Sequence, residues 1–308
     1  MRPSGGMGQA SGESTMRRAL VSALTVLALF SATGAQATDL VMYETDVDLN
    51  SLNEIYLTNY LDHADFLAGD LPNSEQYIPV NVAPSFSIAD FAYDGSYRVL
   101  FETDTDVNSL NELYMLNFSS EEDFLAGQSN ATSQYVGLNV AEGYSVAGFT
   151  YDGIYRLLFE TDTDVNGVTE LYLANYASLS DLLIGNNAAG SGYLAWNVGD
   201  TYSVSGLAFD GTYHLLFETD ADINGVTEVY AAHYATLTDL FAGTTIPPTQ
   251  FVTLNVAPSF SILGYEMITN SEAVPEPSTW AMMLIGFGSV GFVMRRRRQT
   301  KMTFRISV

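Results

Sequence analysis

Leu158-Phe159-Glu160-Thr161-Asp162-Thr163-Asp164-Val165-Asn166-Gly167, followed by Glu170-Leu171-Tyr172, occurs in four variant copies along the chain. The Glu falls at Glu44, Glu102, Glu160 and Glu218 and the Tyr at Tyr56, Tyr114, Tyr172 and Tyr230, both in steps of 58 residues. A constant step without insertion or deletion is the signature of a repeat fold. Each copy is an apolar run, a loop dense in Asp and Asn, and a second apolar run, which predicts strand, tight polar loop and strand.

The copy around Glu218 shows the rest of the unit. Tyr202 to Phe209 alternates and is β-rich, Asp210-Gly211 turns the chain, and Tyr213 to Thr219 is the next strand. After the polar loop 220–227 come a strand Glu228 to Tyr234, a short helical turn Leu237 to Gly243, and a strand Phe251 to Val256. Four strands per repeat, arranged about an axis, make a propeller blade. The expected fold is therefore all-β, a closed four-bladed β-propeller; an open stack of β-units is the alternative. The phase of the repeat favours closure. Leu40 begins in the second strand of a blade, and Ser259 to Met267 is a first strand with no second strand after it. The last strand can pair with the first, which removes the exposed edges of an open array. Gly148, Gly206 and Gly264 recur on the predicted innermost strand, where a missing side chain lets strands approach closely.

The ends read differently. Met16-Arg17-Arg18, the apolar Ala19 to Phe30 and the small-residue site Ala35-Gln36-Ala37 form a secretory signal peptide, cut before Thr38. At the other end, Val274-Pro275-Glu276-Pro277-Ser278-Thr279-Trp280-Ala281 leads into an apolar run to Met294, then Arg295, Arg296, Arg297 and Arg298. The run Trp280 to Met294 would be roughly 22 Å long as a helix, short against a bilayer core of about 30 Å. The basic block would stay cytoplasmic and place the body outside the inner membrane. This order resembles the PEP-CTERM sorting signal of exported proteins of Gram-negative bacteria, in its PEPxxWA form. The resemblance implies recognition by an exosortase, removal of the tail, and delivery to the envelope or extracellular matrix. It reports destination, not activity. The expected organisation is 1–37 N-terminal extension and signal peptide, 38–273 propeller, and 274–308 sorting signal with a short transmembrane segment.

The body is strongly acidic. Setting aside Glu13 and Glu276 leaves 34 of the 36 acids, and setting aside the bases in the two ends leaves Arg98 and Arg156, a net charge of −32 against −25 for the whole chain. Repulsion excludes nucleic acid and anionic membranes as direct partners. Divalent cations, cationic surfaces and neutral glycans remain. With no cysteine, the exported body is held by its core or by bound ions.

The blade also resembles those of TolB-like propellers, through Tyr151-Asp152-Gly153-Ile154-Tyr155-Arg156-Leu157-Leu158-Phe159, then Asp162 to Gly167, then Leu171-Tyr172. That resemblance implies a domain that binds proteins or glycans.

Three groups of residues bear on chemistry. Asp162, Asp164 and Asn166 with Gly167, and Asp220, Asp222 and Asn224 with Gly225, spell the first half of a calcium loop. Asp46, Asp48, Asn50 and Asp104, Asp106, Asn108 keep the oxygens but have Ser51 and Ser109 in place of the Gly; Glu54, Glu112, Glu170 and Glu228 are candidate completing ligands. Calcium is the cofactor expected here, against the alternative of ordinary hairpin turns, which use the same residue types without a ligand. The second group is Arg98, Arg156 and His214, which share one repeat position and read as structural cations pairing with the Glu four residues on. His63 and His233 read as isolated, and the three histidines lack metal-site spacing. The third group is Asp90, Glu142 and Glu266, acids that break the repeat, with Asp90 in the position held elsewhere by the axial Gly. A pair of carboxylates is what a glycosidase needs, but nothing in the sequence fixes a pair.

The function expected from sequence is an exported, non-enzymatic adhesion or glycan- or protein-binding module of the envelope or matrix. The alternatives are a glycoside-acting propeller enzyme and a purely structural or ice- or surface-binding matrix protein. Its partners would be the sorting exosortase and a glycan or matrix component, with the membrane touched only through the C-terminal segment before processing.

Overall fold

In a computed structural model of the chain, the described residues are 37–45, 53–70, 72–82, 85–103, 110–128, 133–161, 168–188, 190–199, 201–219, 226–245, 249–256 and 259–269. All fall in one compact unit, Gln36–Thr269. The signal peptide with Ala35, the whole sorting signal from Pro275 to Arg298, and the Asp and Asn residues of all four candidate calcium loops lie outside them. Ala37 is the first residue of β1.

The strands fall into four antiparallel sheets of four. The second blade is β4 (Phe86–Tyr93), β5 (Tyr97–Thr103), β6 (Leu110–Phe118) and β7 (Gln134–Ala141). The third is β8 (Tyr144–Tyr151), β9 (Tyr155–Thr161), β10 (Val168–Tyr176) and β11 (Gly192–Gly199). The fourth is β12 (Tyr202–Phe209), β13 (Tyr213–Thr219), β14 (Thr227–Tyr234) and β15 (Gln250–Val256). The first blade joins both ends of the body: β16 (Phe260–Thr269) is its innermost strand, beside β1 (Ala37–Thr45), β2 (Asn53–Tyr60) and β3 (Ser74–Val82). Ala37 pairs with Thr269 and Thr45 with Phe260, so the register of this closing ladder runs the full length of β1. The innermost strands β4, β8, β12 and β16 pack against one another in sequence around the axis, with β16 returning to β4. This is the closed four-bladed propeller expected from the phase of the repeat.

The close approach at the axis needs glycine. A Cβ on Gly148 would come within 2.6 Å of Leu207 Cβ, and one on Gly206 within 2.7 Å of Tyr265 Cβ. Each innermost strand carries a bulge at this level, as between Val146 and Gly148 and between Val204 and Gly206. Beside the bulge the repeat Glu of the preceding blade reaches the free edge of the innermost strand: Val204 donates its backbone N–H to Glu160 Oε1 at 2.6 Å. Glu102 and Glu218 receive Val146 and Ile262 in the same way. Three of the four Glu residues that mark the repeat in sequence, Glu102, Glu160 and Glu218, are thus straps between blades, whereas Glu44 accepts from Asn53 and Ser261 of its own blade.

A short helix follows the third strand of each blade: α1 (His63–Ala68), α2 (Glu121–Leu125), α3 (Leu179–Leu183) and α4 (Leu237–Ala242). Each starts on a side-chain cap, Asp62, Ser120, Ser178 and Thr236, that accepts the backbone N–H three residues on. Each packs on the outermost strand of the preceding blade, α1 on β15 and α4 on β11 for example. Phe66, Phe124, Leu182 and Leu240 are the helix residues buried there. Strap, helix and apolar seam together make the blades one body.

Candidate functional site

The two ends of the ring carry different chemistry. The second strand of each blade ends, and the third begins, at one end of the ring, the Asp-rich end by the sequence that joins them. The Asp-Gly turns between first and second strands, and the helix starts, lie at the other.

At the Asp-rich end, the seams between blades form repeated aromatic clefts. Tyr77, Tyr135, Tyr193 and Phe251 stand at one repeat position on the outermost strands and are 45 to 54% exposed. Each meets the repeat Tyr of its own blade, Tyr56, Tyr114, Tyr172 and Tyr230, with ring centroids 5.1 to 5.7 Å apart. Three seams show the same lining. Between the second and third blades, Leu138, Val140, Tyr144, Phe159, Tyr172 and Tyr193 enclose a cleft of about 250 Å³. Trp196, Val198, Tyr202, Phe217 and Tyr230 line the next, of about 370 Å³. Leu254, Val256, Phe260, Tyr43 and Tyr56 line the one after, of about 220 Å³. Polar groups edge the first of them: Tyr144 and Tyr193 share a hydroxyl hydrogen bond of 2.6 Å, and Tyr135 donates to Asn139 at 2.7 Å. The candidate calcium ligands Glu54, Glu112, Glu170 and Glu228 begin the third strands at this end. Among the described residues, one carboxylate oxygen of Glu54, of Glu112 and of Glu170 is buried without a hydrogen-bond partner.

The axis is filled. Asp90 is fully buried and accepts the backbone N–H of Phe91 at 2.7 Å and of Phe149 at 2.5 Å, and those of Tyr265 and Leu207 as well. Residues 91, 149, 207 and 265 are one repeat position, so each innermost strand gives one N–H to a single carboxyl. Burial pushes the Asp90 carboxyl well above the ordinary range, against those hydrogen bonds. Glu266, also buried, is raised by desolvation and then by Asp90. Glu142 lies apart from both, exposed in the β7–β8 turn.

At the Asp-Gly end, the cation position behaves differently from the sequence expectation. Arg98 and Arg156 do not pair with the Glu four residues on. Arg98 Nε reaches back to Asp94 Oδ2 at 2.6 Å and Arg156 Nε to Asp152 Oδ2 at 2.7 Å. The tight turn brings the preceding Asp over the start of the second strand, while Glu102 and Glu160 are occupied as straps. Each Arg also donates to the Asn of the third strand, Asn117 and Asn175, at 2.5 Å. The next blade's Tyr155 or Tyr213 covers the guanidinium and hydrogen-bonds the same Asp94 or Asp152.

The histidines are not isolated, which corrects the sequence reading. One ring nitrogen from each of His63, His214 and His233 lies within 4.8 Å of the other two. His63 Nε2 and His233 Nε2 are 3.2 Å apart. Asp39 Oδ2 holds His63 Nδ1 at 2.7 Å, and Tyr265 donates its hydroxyl to the same oxygen at 3.1 Å. Asp210 Oδ1 holds His214 Nε2 at 2.9 Å, with the Thr212 hydroxyl at 2.8 Å from the same nitrogen. Desolvation, then His214 and His63, lower the His233 imidazole to about 4. Burial raises the Asp210 carboxyl, but hydrogen bonds and charge from His214 and Thr212 outweigh it and the net shift is downward. Spacing could not reveal this cluster, because its members come from a helix start, a second strand and a third strand of two blades that meet only on closure.

Residues 273–298 match the family model described as the PEP-CTERM protein-sorting motif. That motif is the recognition signal for exosortase processing, so the protein is exported and sorted to the cell envelope or surface. No curated protein matches the chain. Among solved structures, the chain is similar to TolB from Acinetobacter baumannii at 12% identity and a TM-score of 0.33, over 80% of this chain. The matched part spans about half, 49%, of that TolB chain. A superposition this loose carries no weight; the propeller rests on the strand pairing itself. Among the described residues no helix is long and apolar enough to cross a membrane, and the segment Trp280 to Met294 lies outside them.

Proposed function

We propose that this protein is a non-enzymatic binding module displayed at the cell envelope, which holds neutral glycans in the aromatic clefts between its blades. The observation that carries this reading is the exposed ring at positions 77, 135, 193 and 251, each in contact with a second aromatic of its blade, with Tyr56, Tyr172, Tyr193 and Tyr230 of these pairs lining the clefts. An exposed aromatic face beside hydroxyl and amide groups suits the apolar face and hydroxyl rim of a pyranose. Repetition around a ring suits a polymer, since several weak clefts on one rigid body raise avidity without new contacts. The charge of the body disfavours acidic polysaccharides and leaves neutral ones. Calcium on the Asp-rich loops is part of the same proposal.

The glycoside-cleaving alternative is less well supported. Asp90 and Glu266, the irregular acids nearest each other, are both sealed from solvent. A panel of soluble neutral and acidic polysaccharides, titrated against the purified chain with and without calcium, tests the proposal. Binding to neutral polymers, reduced at least tenfold by Tyr135→Ala with Tyr193→Ala, supports it. Binding to none, by a folded protein, leaves a structural matrix role.

A further inference from the structure

All three histidines of the chain meet in the cluster His63, His214 and His233 at the seam between the fourth and first blades. The other seams are built differently. In two of them a buried network of Arg, Asp, Asn and Tyr recurs: Arg98, Asp94, Asn117 and Tyr155, then Arg156, Asp152, Asn175 and Tyr213. At the closing seam Asp210 remains, but the Arg position is His214, the Asn position is His233, and the Tyr position is Asp39. His63 stands where the other blades have Glu121, Leu179 and Leu237, and Tyr265 where they have Phe91, Phe149 and Leu207. Five departures from the repeat thus fall in one place.

Their joint effect is electrostatic. The Arg that compensates Asp94 or Asp152 is gone, and a second carboxylate, Asp39, has been added with no exposure to solvent. Two carboxylates face three imidazoles, with no permanently charged cation among the groups described at this seam. We infer that His63, His214 and His233 form a binding site for a divalent first-row transition-metal ion of the zinc class, which supplies the positive charge that Arg supplies in the other seams.

The hydrogen bonding has the form such a site requires. A ligating histidine gives its second nitrogen to a carboxylate, which fixes the tautomer and frees the other nitrogen for the metal. Asp39 does this for His63 and Asp210 for His214. The remaining nitrogen of His214, Nδ1, is buried and has no hydrogen-bond partner. The 3.2 Å between His63 Nε2 and His233 Nε2 is close to the edge of a tetrahedron with metal–nitrogen bonds of about 2.0–2.1 Å. Imidazole donors select zinc, copper or nickel over calcium, which takes oxygen ligands. The site therefore differs from the candidate calcium ligands Glu54, Glu112, Glu170 and Glu228 both in the ion its donors select and in the end of the ring it occupies. His63 is 22% exposed, which opens a route for the ion and leaves a fourth position for water.

The test uses the purified, untagged full chain and Co²⁺ as a spectroscopic probe. Expected are one equivalent bound per chain, the intense visible absorption of four-coordinate cobalt, displacement by Zn²⁺, and no displacement by Ca²⁺. His63→Ala with His233→Asn should weaken binding at least a hundredfold. The triple variant Asp39→Tyr, His214→Arg, His233→Asn, which rebuilds the network of the other seams, should fold and lose the signal. Absence of the cobalt bands in the wild-type chain overturns the inference, as does their survival in a folded histidine variant. Should the variants fail to fold, X-ray absorption on the zinc-loaded wild type decides: a shell of three imidazoles supports the site and an oxygen-only shell overturns it.

Discussion

Asp90 Oδ2 accepts the backbone N–H of Phe149 at 2.5 Å, so the side chain of one innermost strand is held by the backbone of the next. Leu207 and Tyr265 add the same N–H from the other two blades, and Phe91 adds its own. A single carboxyl thereby satisfies the groups that closure of four strands leaves facing the axis. Asp90→Ala removes the acceptor and leaves buried donors unmet, each at about 1–3 kcal/mol. Partial rescue by water in the vacated space should limit the total to about 2–4 kcal/mol. Urea denaturation measures it; a loss below about 0.5 kcal/mol would show that the axial carboxyl is dispensable.

Two residues of that same strand show where the sequence was readable and where it was not. Gly148 announced the axis because it recurs at a fixed step, and the Cβ it lacks would collide with Leu207. Asp90, at the same step, looked irregular, and its irregularity is what plugs the ring. Period, turn residues and the unpartnered last strand suffice for architecture, since each acts locally or through the phase of the repeat. The partners of Arg156 and of the histidines depend on which strand faces which across a seam. Writing the repeats one above another would have placed Asp39, His214 and His233 at one seam, but only with closure assumed.

The inter-blade straps should make stability pH-dependent. Desolvation raises Glu160 and Glu218 to about 7, against the hydrogen bonds they accept from Val204 and Ile262. Their folded values lie above the unfolded value near 4.3. The native state therefore keeps protons that the unfolded chain releases, and stability is lost as pH rises from about 4.5 through 7. Each group contributes a slope of at most about 1.4 kcal/mol per pH unit in that window. Glu160→Gln with Glu218→Gln should flatten the profile of chemical denaturation between pH 5 and 7. An unchanged slope would mean that the straps are not the titrating groups.

Arg156 is the only cation among the groups described around Asp152, whose side chain is 6% exposed. Arg156→Met keeps the stem and removes the charge and both donors. The carboxylate of Asp152 would then be buried without compensation, which costs about 3–5 kcal/mol. The double variant Arg156→Met, Asp152→Asn should recover more than half of that loss, since no charge is left to compensate. Thermal melts of the two variants check the order; equal destabilisation would show that the loss is one of packing.

Calcium should act at the opposite end from the histidines. The body carries 34 acids, and four of its loops concentrate Asp and Asn beside Glu54, Glu112, Glu170 and Glu228. Carboxylates held about 4–5 Å apart repel by a few kcal/mol at an effective dielectric near 20, which a divalent ion relieves. The oxygen of Glu170 that has no partner among the described residues fits a ligand waiting for a cation. Millimolar calcium should raise the melting temperature and a chelator should lower it, with an affinity of about 10⁻⁴–10⁻³ M, as in extracellular modules. Glu170→Gln should reduce the calcium-induced shift without moving the melting temperature in chelator by more than a few degrees. Because calcium avoids imidazole, His63→Ala should leave the shift intact, and a shift that vanished with the histidine would assign the effect to the other end of the ring.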